Sequence, residues 1–196
     1  MPVSMIASVL AALFLTQTPT APQDGPVVTA PPPARTSDGP IATAAPSDGE
    51  TRDSLRLREA VAYANPMPRG APDADYPLVA WCEALVNGHV ALGETLTGRD
   101  DLDNDIIRLG RLEASDFRSA LQVAQSRQSA ATLTAARAAA AEATAKWTPL
   151  KDQDEATRSQ AFGLFFGLPG RCEHAARRIR DNITTAPATP ADVGLE

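Results

Sequence analysis

The sequence predicts an all-α fold, a small helical bundle of about five helices set between disordered N- and C-terminal tails. Three observations predict it. Apolar residues recur at spacings of three and four through residues 51–184, no segment there shows the period-two alternation of a strand, and both ends are rich in proline and small residues.

An apolar run from Met5 to Leu15 (MIASVLAALFL) stands near the start of the chain. It is long enough for the hydrophobic region of a secretory signal and too short to cross a hydrocarbon core of roughly 30 Å as a helix. Residues 1–21 are therefore read as a signal peptide, with the small residues Thr18, Thr20 and Ala21 near its processing site. No Lys or Arg precedes the run, which leaves an uncleaved N-terminal anchor as the competing reading. The address that follows is periplasmic or secreted, with no stable transmembrane segment once the leader is removed. Usage rich in Ala and Arg and poor in Lys suits a GC-rich bacterial genome, and so the periplasm.

Residues 22–50 are built from Pro, Ala, Thr, Gly, Ser and Asp, with Pro31, Pro32 and Pro33 consecutive. Such a composition buries too little apolar surface to offset the entropy of ordering, and it predicts a disordered linker. Residues 185–196, with Pro187 and Pro190, read the same way as a disordered tail. The helical domain is placed at 51–184.

Within that domain a first helix is expected from Asp53 to Ala64, burying Leu55, Leu57 or Val61 and ending before Asn65-Pro66. A proline-rich loop follows. Pro77 suits the first position of a second helix reaching Leu96, because its missing N–H costs nothing there. Leu78, Cys82, Leu85, His89, Leu92 and Leu96 recur along it at helical spacing and mark a buried seam. After Gly98, the acidic run Asp100, Asp101, Asp103 and Asp105 suits a helix N-terminus and predicts a short helix through Leu112. Ser115 reads as the N-cap of a long helix to Trp147, stopped by Thr148-Pro149. Its stripe of Phe117, Leu121, Ala124, Ala131, Ala135 and Ala138 is mostly small, so this rod either packs closely or extends past the core. A further helix starts near Asp154 and buries Ala161, Phe162, Phe165 and Phe166, with Gly167 left-handed at its end. The last helix runs from Arg171 to Asn182, with Cys172, Ala175, Ile179 and Ile183 on one stripe.

Two inward-facing cysteines, Cys82 and Cys172, on separate helices of one exported domain are expected to form a disulfide. Together with His89 and His174 they also make a Cys2His2 inventory. Geometry argues against a metal, because Cys82 and His89 lie about 10 Å apart along their helix and His174 points away from Cys172, toward solvent. No cofactor is implied. His89 on an apolar seam is either a satisfied core residue, kept neutral by desolvation, or a group in a pocket, in which case Trp81 is its candidate companion. Glu83 and Glu94 point off the seam and form no acid–base pair with it. The Asp101-x-Asp103-x-Asp105 run lacks the glycine and the terminal glutamate of a calcium loop, and helix capping accounts for it.

The net charge of -6 resides almost wholly in the tails, which hold six acidic residues and one arginine; residues 51–184 carry 17 basic and 18 acidic side chains and are close to neutral. A nucleic-acid binder needs a basic face. The single candidate, Arg171, Arg177, Arg178 and Arg180, reads as complementing one helix dipole, so no nucleic-acid partner is expected. Nucleophile elbows, phosphate loops and metalloprotease pairs do not occur. The functional expectation is an exported protein with a structural or protein-interaction role in the cell envelope, possessing holdase-like character, with an envelope protein as partner on the Ala-rich helix. The alternative is a small-ligand binding protein or enzyme with a pocket near His89.

Overall fold

Side-chain caps set where most of the helices begin. Thr51, Asp100, Ser129 and Asp154 each accept a hydrogen bond from the backbone N–H three residues on, satisfying donors that a first helical turn leaves unpaired. They open α1 (Arg52–Ala64), α3 (Asp101–Ala124), α4 (Ala130–Lys151) and α5 (Glu155–Gly163). α2 (Asp75–Glu94) and α6 (Arg171–Arg180) complete an all-helical set, with short 3₁₀ turns at Gln125–Arg127 and Ala191–Val193. The computed structural model describes residues 51–165 and 167–195, and no strand occurs among them. The leader and linker readings for residues 1–21 and 22–50, and the burial expected of Phe166, lie outside the described residues.

α2 is the axis of the domain. The seam from Leu78 through Cys82, Leu85, His89 and Leu92 to Leu96 is buried as its spacing predicts, but Val79, Trp81, Val86 and Val90 on other faces are buried as well. Surrounding helices account for this: α3, α4, α5 and α6 all pack on α2. Close approach is possible where side chains vanish. A Cβ on Gly88 would overlap the Trp147 indole, and one on Gly110 would meet Val90. None of the described helices is long and apolar enough to cross a membrane.

Four expectations require correction. The helix break lies at residues 125–129 rather than at Ser115, which is exposed within a continuous α3. Ser115 has a solvated side chain and is tolerated in mid-helix, whereas Ser129 accepts from Thr132 N–H at 3.1 Å and is the true cap. Second, the Ala-rich helix packs closely, as one of its two readings has it, but through another face. α4 lies along α2 and buries Ala136, Ala139, Ala143 and Trp147, a different stripe from the one expected. Pro149 falls in its last turn, and the helix ends two residues later.

Third, α1 is turned over. It buries Glu59, Ala60 and Ala62 and leaves Leu57 and Val61 39% and 43% exposed, because Glu59 is drawn inward by arginines of α6. Fourth, the C-terminal segment is not a disordered tail. Ala188 is buried, the 3₁₀ turn at Ala191–Val193 packs against α1, and Thr189 and Asp192 cap each other. Two prolines restrict this segment in the unfolded chain, which lowers the entropic cost of ordering it.

Cys82 and Cys172 form a disulfide that ties α2 to α6 across a separation of 90 residues, with Cα atoms 6.1 Å apart. Both residues are almost fully buried. Replacing both by alanine is expected to lower the unfolding free energy by ~2–4 kcal/mol, read as a shift of the urea midpoint; the untreated chain should move to the same midpoint on full reduction.

Candidate functional site

The residues singled out in the sequence take separate places. His89 is 3% exposed, and its Nε2 lies 2.9 Å from the Phe162 carbonyl oxygen. Phe162 stacks on it with ring centroids 4.4 Å apart, Phe165 tilts against it at 4.4 Å and Trp147 stands at 5.8 Å. Burial pulls the imidazole below its ordinary value, and the hydrogen bond to Phe162 opposes that only in part. These are the surroundings of the core reading. Trp81, eight residues earlier on α2, sits about 12 Å away along the helix axis and is absent from that aromatic set. Its ring instead carries Lys146 Nζ 5.1 Å above it, while its indole N–H has no hydrogen-bond partner among the described residues. The two residues therefore stand in different parts of the core, about two helical turns apart.

His174 is also relocated. It is 4% exposed rather than solvent-facing, because α6 is covered on several sides by α1, α2 and α3. No three His, Cys, Asp or Glu side chains among the described residues come together to hold a metal ion. Asp100 and Asp103 form a reciprocal capping box at the start of α3, as the capping account of the acidic run requires. Glu83 and Glu94 pair with Arg118 and Arg111, both away from His89.

Further along α6 from Cys172 the chain assembles a charged node that sequence reasoning missed. Arg178, buried on α6, donates to Glu59 of α1 at 3.1 Å, to Asp75 of α2 at 3.0 Å and to the Thr185 carbonyl. Arg177 reaches the same Glu59 oxygen at 3.0 Å. Tyr63 donates to the other Asp75 oxygen at 2.6 Å, and the Arg171 guanidinium lies 4.5 Å over its ring. Desolvation, with the Asp75 hydrogen bond and charge, holds the Tyr63 phenol well above its usual range. Asp75 also sits in the first turn of α2, where the helix dipole favours an anion.

Chemically this node is a lock. Its acids face cations, its phenol stays protonated, and the guanidinium nitrogens of Arg178 are spent on joining α1, α2, α6 and the C-terminal segment. The pairs span 103 to 119 residues, so no local spacing announces them. The arginine cluster at 171–180 was the visible half of the signal.

An open cleft of about 280 Å³ lies elsewhere, where α2, the end of α3 and α4 meet. Tyr76, Glu83, Gln125 and Arg137 contribute its polar atoms, and neither His89 nor Trp81 lines it. No protein-family model, curated protein or solved structure matches the chain.

Two measurements check these assignments. Arg178→Met should cost ~3–5 kcal/mol, the usual result of leaving a buried counter-charge unpaired, and should speed amide exchange at residues 185–193; unchanged exchange there would remove the lock. For His89, the unfolded imidazole titrates near 6.5 and the buried one below that. Between those two values the unfolded chain binds a proton that the native chain does not, so stability falls as pH drops from about 6.5. His89→Gln should flatten that limb of the denaturant-midpoint profile.

Proposed function

We propose that the chain is an exported protein with a structural or protein-interaction role in the cell envelope, working in the periplasm or outside the cell. The buried disulfide carries this reading. A bond that ties the two cysteines of the chain, both almost fully buried, forms and persists in an oxidising compartment, and the apolar run from Met5 to Leu15 has the length of an export signal.

The interaction role draws support from α3. Leu102, Leu109 and Leu112 stay 66%, 37% and 55% exposed on its outer side, interleaved with Asp105, Arg108 and Arg111. Apolar residues at helical spacing among alternating charges suit an amphipathic helix of a partner protein. At His89 the packing of Phe162 and Phe165 on the imidazole supports the core reading over a small-ligand pocket.

Intact-mass measurement of the chain recovered from the periplasmic fraction tests the address. Loss of residues 1–21 and no alkylation of either cysteine under denaturing, non-reducing conditions is the expected result. A cytosolic chain with two titratable thiols would end the export reading.

A further inference from the structure

The open cleft at the junction of α2, α3 and α4 combines small apolar side chains with a charged rim. Its floor is methyl groups, from Ala80 of α2 and from Ala136 and Ala140 of α4, of which Ala80 and Ala136 are buried. Leu121 and Leu133 form apolar sides. At about 280 Å³ it stands near the lower end of the range for small-ligand pockets, about 300–1,000 Å³, and suits a short aliphatic body better than a large ring system.

The rim decides the charge of the occupant. Tyr76 directs its hydroxyl to the Leu121 carbonyl at 3.3 Å, and Glu83 is held by Arg118 at 2.8 Å. Arg137 has no hydrogen bond or ion pair among the described residues, leaving its guanidinium as the uncompensated charge at the mouth. One net positive charge matches a monovalent carboxylate, which a guanidinium binds through two parallel hydrogen bonds, while the nearby Glu83 disfavours a doubly charged anion.

We propose that this cleft binds a carboxylate carried on a short aliphatic body, with the carboxylate on Arg137 and the aliphatic part on the floor of Ala80, Ala136 and Ala140. Two sources share that chemistry, the C-terminal aliphatic residue of a peptide and a free short-chain fatty acid. The site works the same way in any compartment, so it stands or falls separately from the export reading.

Amide NMR of the full oxidised chain tests it, with N-acetyl-leucine, hexanoate and the uncharged N-acetyl-leucinamide as probes. Saturable shifts at Ala80, Leu121 and Ala136 are expected from at least one acid, with the amide about tenfold weaker or more. The tighter of the two acids identifies the source. Arg137→Gln, at an exposed position, should weaken acid binding about tenfold without altering the rest of the spectrum. Ala140→Leu should remove it by filling the floor. Absence of saturable shifts from either acid up to about 10 mM, equal binding of the amide, or undiminished binding by Arg137→Gln would each overturn the assignment.

Discussion

The crossing of α2 and α6 at Cys82 and Cys172 constrains everything around it. With one residue of α6 held against α2, the next turns of α6 must run past the start of α2, and Arg178 arrives beside Asp75. A buried guanidinium demands counter-charges. It takes a second one from α1 in Glu59 and a carbonyl from Thr185, so the position of α1 and the path of the C-terminal segment follow from the same crossing. The disulfide and the charged node therefore act as two parts of one clamp, the first covalent and dry, the second polar and spread over four segments.

That clamp explains why α1 disregards its own amphipathic pattern. Full burial of Leu57 and Val61, which are 39% and 43% exposed, would add under half of the about 1.5–3 kcal/mol that such a side chain gains between full exposure and full burial, and the helix instead turns Glu59 inward. Leaving Arg177 and Arg178 without that carboxylate costs more, since breaking a buried pair typically destabilises by about 3–5 kcal/mol. The small side chains Ala60 and Ala62 then let α1 lie close to α6.

Away from the clamp the core is built by contact between large and absent side chains. Trp147 lies against Gly88, Phe162 against Gly93, and His89 serves as one more flat ring among Phe162, Phe165 and Trp147. The imidazole is suited to this because, once neutral, it stacks like an aromatic residue and spends one nitrogen on the Phe162 carbonyl near the end of α5. The cleft beside Ala136 and Ala140 is the opposite case, a place where small residues on α4 meet others on α2 and no large side chain fills the gap.

What the sequence determined by itself is the helical class, the seam on α2, the inward cysteines and the starts of α1 and α5, because periodicity, caps and proline act over a few residues and are written locally. The acidic opening of α3 was readable for the same reason, whereas Ser115 and Ser129 offer similar local cap chemistry and only the packing of a continuous α3 on α2 chooses between them. The orientation of α1, the burial of His174, the ordered C-terminal segment, the charged node and the cleft were decided by tertiary structure. Each depends on groups from distant parts of the chain meeting at one point, and the free energy of such a meeting resides in no single segment.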